Sequence, residues 1–172
     1  MTTSHISAAM QSAVGSQTGW RKSFPVSASD IRRWAVAVYW PDEPPRLFWD
    51  PEYAAGTRHG GIVAPEEFNP FAWMVADKKE PPVPAIPNDP DRLERLLGID
   101  GPGLKFQLNG GAEVEYGVRM RPGDVIEATG RLAEYREREG KLGLMLFTVS
   151  EDTWTNQDSQ LVKRTRSTLI RY

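Results

Sequence analysis

Four strand-like runs joined by short polar turns occupy roughly the last third of the chain. In "AEVEYGVRM", Val114, Tyr116, Val118 and Met120 alternate with Glu113, Glu115, Gly117 and Arg119. A period of two is the signature of a strand with one buried face. "RPGD" at 121–124 follows. Pro122 presets φ at the second turn position, and Gly123 accepts the positive φ that a type II turn requires at the third. "VIEATGRLAEYRE" alternates again, with Ile126, Ala128, Gly130 and Leu132 on one side. "REGK" is a polar turn around Gly140. "LGLMLFTVS" is apolar on both faces and reads as a central strand. "WTNQDSQ" turns the chain once more, and "LVKRTRSTLIRY" closes it as a strand of mixed faces. Connections this short join antiparallel neighbours, because a parallel crossover needs a dozen residues or more.

The first half is helical. Ser27 and Asp30 have the spacing of a capping box, with Asp in place of Glu or Gln. Ile31, Trp34, Ala35 and Val38 then share one helix face, and Arg32 and Arg33 lie on the other. "PDEPP" at 41–45 ends the helix, since proline supplies no donor and disfavours helical geometry before it. "PEEFNPFAWMVA" at 65–76 predicts a short buried helix, with Phe68, Phe71, Ala72 and Val75 on one face and Pro70 starting or breaking it. Residues 77–103 carry six prolines. They read as an extended excursion with one helical turn at Arg92–Leu97. Residues 1–19 are either one short helix ending at Gly15 or a loose tail. The fold expected is α+β, a curved antiparallel sheet wrapped on a helix.

Composition narrows function. The formal net charge is -2, which offers no basic face for nucleic acid. There is no cysteine, so there is no disulfide framework, thiolate nucleophile or cysteine metal site. The two histidines, His5 and His59, are far apart, so no metal-ligand cluster is visible. No apolar run reaches the ~20 residues of a membrane helix, and the N-terminus lacks a signal-peptide pattern. A cytoplasmic location is expected. "LNGGAEV" has glycines but precedes a strand, so it is no dinucleotide fingerprint.

The order of helix, then "DPEYA…GGIVAP", then a short buried helix, then "LNGGAEVEYGVRMRPGDVIEATGRL" carries a resemblance. The chain resembles the MaoC-like hydratase and dehydratase family, and within it the N-terminal, fatty-acid-synthase-like dehydratase domain. The resemblance covers residues 20–172, which it implies are a single hot-dog domain with a proline-rich insertion at 77–103. It implies a hot-dog fold, in which a long antiparallel sheet curls around a central helix and two such folds pair into a continuous sheet. It also implies reversible hydration of a trans-2-enoyl thioester to the 3-hydroxyacyl thioester. The substrate is carried on CoA or acyl carrier protein, with no other cofactor and no metal.

The family's acid–base pair lies in a motif of the form Asp-x-Asn-Pro-x-His-x-Asp-Pro. Anchored on Asp50 and Pro51, the histidine position falls on Phe48. The first aspartate position falls on Glu43, with Asp42 beside it. Phenylalanine cannot hold or give a proton, so half of the pair is missing. Asp42, Glu43 and His59 are the candidates left for chemistry within this chain. Phe48 and Trp49 are candidates for an acyl tunnel, a subunit interface or plain core, in an aromatic set with Trp40, Tyr53, Phe71 and Trp73. Arg58 is a candidate contact for a carrier phosphate, weighed beside Arg46, Arg119 and Arg121. Gly60 and Gly61 would let backbone approach the thioester, or serve only a tight turn.

Three readings follow. The chain is a subunit of a heteromeric hydratase whose partner hot-dog chain carries Asp and His. It is a self-sufficient homodimer using Asp42 or Glu43 with His59. Or it is an acyl-thioester binding module without chemistry.

Overall fold

The computed structural model describes residues 4–72, 74, 86 and 88–172. The chain begins with α1 (Ala8–Ala13), capped by the Ser7 side chain. β1 (Gln17–Lys22) and α2 (Ala28–Tyr39) follow. A 3-10 turn spans Arg46–Phe48, α3 spans Pro51–Ala55 and α4 spans Arg92–Leu96. The strands β2 (Gln107–Tyr116), β3 (Glu127–Gly140), β4 (Gly143–Thr155) and β5 (Leu161–Arg171) complete the described elements.

All five strands form one antiparallel sheet in the order β1-β3-β4-β5-β2. β4 is central, as its two apolar faces require. Its neighbours supply Glu127 of β3 against Thr155 on one side and Arg171 of β5 against Leu146 on the other. Four strands match the sequence expectation. The fifth, β1, carries no alternation and exists by pairing with β3 from Gln17 to Lys22. The 19/20 position, where the hot-dog resemblance begins, falls inside it.

Turn chemistry places the strands. Gly123 has φ +95, as the "RPGD" pattern demands, and the Asp124 N–H donates to the Arg121 carbonyl at 3.1 Å. The Asn156 side chain organises the last turn. Its Oδ1 accepts from the N–H of Asp158 and of Gln160, at 3.1 and 2.9 Å.

α2 starts where the Ser27 hydroxyl accepts the Asp30 N–H at 3.0 Å. Ile31 and Ala35 then enter a core with Phe48, Phe68, Met120, Ile126, Ala128, Trp154 and Val162. Removing this apolar surface from water is the main force joining helix to sheet. Val38 was expected on the same face but is 60% exposed. The buried positions of α2 stop at Ala35, and the residues of its last turn are exposed.

Two further expectations are corrected. The segment 65–76 forms successive tight turns among its described residues, not an α-helix. The Asn69 Oδ1 takes the Phe71 N–H at 3.0 Å and competes with helical bonding. Phe68 is nonetheless buried, at 1% exposure. The β2 alternation promised a buried face, yet all ten residues of β2 are exposed. β2 also starts earlier than expected and contains the "LNGG" run, with its register broken between Asn109 and Ala112. Of the proline-rich excursion, α4 lies where the helical turn at Arg92–Leu97 was expected. Residues 77–85 and 87, with Trp73 and Val75, lie outside the described residues. No described helix is long and apolar enough to cross a membrane.

Candidate functional site

The stretch that carries the motif is built on one carboxylate. Asp50 caps α3, its Oδ1 accepting the Tyr53 N–H at 3.0 Å. Its Oδ2 binds Arg46 through Nε and Nη2, at 2.9 and 2.5 Å. The Tyr53 backbone bond first, and the Arg46 side chain next, hold its carboxyl below the usual aspartate range. The Arg46 guanidinium also lies over the Tyr53 ring at 4.8 Å. Asp50 is therefore committed to structure.

Phe48, at the motif's histidine position, is 7% exposed and faces the core, with the Tyr39 ring at 6.1 Å. Trp49 is half-buried; its Nε1 donates to the Pro44 carbonyl at 2.9 Å, and the Arg32 guanidinium lies 6.0 Å from its ring. Asp42 and Glu43 are both exposed, just beyond α2. No hydrogen bond or ion pair joins either of them to His59 among the described residues.

His59 belongs to a separate cluster. Its carbonyl accepts from Arg121 Nη2 at 2.6 Å, and its N–H donates to Thr57 Oγ1 at 3.2 Å. Loss of solvent, followed by the charges of Arg58, Arg119 and Arg121, pushes its imidazole below the ordinary histidine value. Both causes oppose a positive charge on the ring and so make it a weaker base. Arg58 is exposed beside it, with Nε 3.4 Å from His59 Nε2. Gly60 turns at φ +65, a conformation that favours glycine, and Gly61 follows beside Arg121. Arg119 is tied to Glu66 at 2.7 Å and to the Ala64 carbonyl at 3.2 Å. The loop thus gathers His59, Arg58, Gly60 and Gly61, and leaves Asp42 and Glu43 outside.

The sequence matches the FAS1-like, dehydratase domain region over residues 12–165. The chain belongs to this FAS1-like dehydratase family. No curated protein matches it. Among solved structures this FAS1-like dehydratase chain is similar to the ChsH1-ChsH2 complex of Mycobacterium tuberculosis, at 19% identity and a TM-score of 0.63, covering 96% of this chain and 92% of the other. A MaoC-like dehydratase from Rhodospirillum rubrum matches at 19% identity and 0.52, with 90% of each chain covered. The HadBC (3R-hydroxyacyl-ACP dehydratase) complex of Mycobacterium tuberculosis matches at 20% and 0.52, covering 88% and 95%. These likenesses establish the hot-dog fold.

Sequence reasoning missed two features of this FAS1-like dehydratase chain. One is the buried ion pair between Glu94 and Arg171, 77 positions apart. The other is the contact of Arg21 with Asp152 at 2.7 Å, made with the guanidinium 4.5 Å from the Phe71 ring. One joins helix α4 to β5 and the other reaches across β3 from β1 to β4, and no local pattern signals either. No group of three or more His, Asp and Glu side chains is placed to hold a metal ion among the described residues.

Proposed function

We propose that this chain is the non-catalytic subunit of a heteromeric enoyl-thioester hydratase or 3-hydroxyacyl-thioester dehydratase. One observation carries the reading. The motif position that needs a proton-carrying histidine holds Phe48, and that side chain is packed into the core. Asp42 and Glu43 stand exposed, and among the described residues neither bonds to His59, which supports a chain without its own acid–base pair. A partner hot-dog chain would then supply the Asp and His. One of its groups would take a proton from water as the oxygen adds to the β-carbon, and a proton would be delivered to the α-carbon. The thioester would arrive on CoA or acyl carrier protein, with no further cofactor.

The free edge of β2 supports the partner. Among the described residues it pairs with β5 on one side only. Leu108, Val114 and Tyr116 on it are 49%, 41% and 39% exposed. An edge with unpaired backbone groups and apolar side chains is a template for another strand.

The test is turnover of a trans-2-enoyl-CoA by the purified chain, alone and with a co-expressed hot-dog chain that has the intact motif. Activity only in the mixture is the expected result. Turnover by the lone chain at ordinary enzyme rates ends the proposal, and would direct attention to Asp42, Glu43 and His59.

A further inference from the structure

Side chains along β4 step two residues at a time across one face: Leu146, Thr148, Ser150, Asp152, Trp154. Trp154 belongs to the core under α2. Thr148 accepts from Arg171, which holds Glu94 of α4. So α2 and α4 cover the two ends of one sheet face, and the middle lies between them. Two adjoining cavities of about 330 and 420 Å³ occupy that middle, and both are lined by Thr18 and Ser150.

Hydroxyls interrupt the floor of this trough where a core would be wholly apolar. Strand register puts Ser167 beside Ser150, and Thr165 beside Asp152. Gly130 lies beside Asp152 on the other side. A Cβ at Gly130 would sit 2.9 Å from Thr18 Oγ1, so the floor is kept low there. Among the described residues, no protein group hydrogen-bonds the hydroxyls of Ser150, Thr165 or Ser167. The flanking charges are already matched. Arg21 holds Asp152 at 2.7 Å, Arg171 holds Glu94 at 2.7 Å, and Arg95 holds Asp89. Arg92 stands exposed at the rim. Leu93, Leu96 and Leu169 supply apolar wall at the α4 end.

A plain alkyl chain laid in this trough would strip water from the hydroxyls and return no hydrogen bond. A chain bearing neutral oxygens would replace that water. We propose that the trough receives the distal part of an acyl group that carries hydroxyl or keto oxygens, and that Ser150, Thr165 and Ser167 set the preference. This rests on the acyl-thioester reading above, and it names the class of acyl group.

The experiment uses carrier-free acids, so it does not depend on CoA or a catalytic partner. The full chain is titrated with dodecanoate and with 9,10-dihydroxydodecanoate by calorimetry, alongside the fluorescence of Trp20, which lines the trough and is 58% exposed. The dihydroxy acid is expected to bind about 10-fold more tightly, in the sense in which a polar site rejects an analogue that leaves it unpaired. The variant Ser150→Ala/Thr165→Val/Ser167→Ala is expected to abolish or invert that ratio. Should it not fold, the three single variants are each expected to lower the ratio about 2-fold or more. Equal binding of the two acids, preference for dodecanoate, or binding of neither overturns the proposal. Failure of the subunit reading shows elsewhere, in turnover by the lone chain.

Discussion

The Arg171 guanidinium donates to both carboxylate oxygens of Glu94, at 2.9 and 2.7 Å, and neither side chain is exposed. The Tyr135 hydroxyl donates to Glu94 Oε1 at 2.5 Å, and Thr148 Oγ1 accepts from Arg171 at 2.8 Å. This network fastens α4 to β3, β4 and β5. Taking two charges out of water is costly, and leaving one of them alone costs more. Glu94→Ala is therefore expected to destabilise the fold by about 3–5 kcal/mol. The double variant Glu94→Leu/Arg171→Met is expected to cost less than Glu94→Ala. Urea unfolding of the three proteins reads both values. A double variant that costs as much as Glu94→Ala, or more, would show that the loss does not come from leaving one charge buried alone.

The same network sets a pH window. Burial alone would raise the Glu94 carboxyl, but the hydrogen bonds from Arg171 and Tyr135 leave it below the ordinary value of 4.5. A folded-state value below the unfolded one means that the unfolded chain binds the proton more readily. The contribution is fully present above about pH 4.5 and is lost as pH falls through the folded-state value. Tyr135 is displaced the other way, pushed up by burial and then by Glu94. Its contribution holds below the ordinary value of 10.0 and fades as pH rises above it. The wild-type Tm is expected to fall on both flanks. In Glu94→Gln the acid flank is expected to be shallower. An unchanged acid flank in that variant would remove Glu94 as its cause.

Restoring the motif by Phe48→His is expected to yield no hydratase turnover in the lone chain, because the side chain at 48 faces the core rather than a cleft. It is also expected to destabilise the fold. Phe48→Ala calibrates that loss at about 3–5 kcal/mol, the cost of emptying an aromatic core site. Activity in Phe48→His with unchanged stability would place position 48 at an open site instead.

Val114→Lys is expected to prevent association without unfolding the chain. Val114 is 41% exposed on an edge strand, and a lysine there is a common way to block strand addition. Size-exclusion chromatography with the partner chain, beside a Tm measurement, separates the two effects. Association that survives this change and Tyr116→Lys would remove β2 as the interface.

His59 is expected to titrate below the ordinary histidine value of 6.5, since loss of solvent and then Arg58, Arg119 and Arg121 oppose its charge. Replacing Arg58 and Arg121 with Ala is expected to move the titration up. Proton NMR of the ring reads it directly. No movement would mean that Arg58 and Arg121 do not displace it.

Local signals account for what was legible in the sequence. The Ser27 cap, the "RPGD" turn with Gly123 at φ +95, and the central place of β4 each follow from residues within a few positions of one another. The absence of a motif histidine was legible in the same way, since position 48 is simply phenylalanine. Less was legible where burial depends on distant partners. Val38 fits its helix face by period but is exposed, and the β2 alternation has both faces exposed among the described residues. β1 has no strand pattern of its own and is held by β3.

By itself the sequence determined the turns, the caps, the strand succession and the phenylalanine at the motif's histidine position, because these depend on backbone preference and residue identity over short spans. Only the tertiary structure decided that Glu94 would be buried against Arg171, that Phe48 would enter the core, and that Ser150, Thr165 and Ser167 would share an open floor. Those outcomes rest on strand register and on how α4 and the 46–48 turn pack against the sheet, which bring together residues that no local pattern relates.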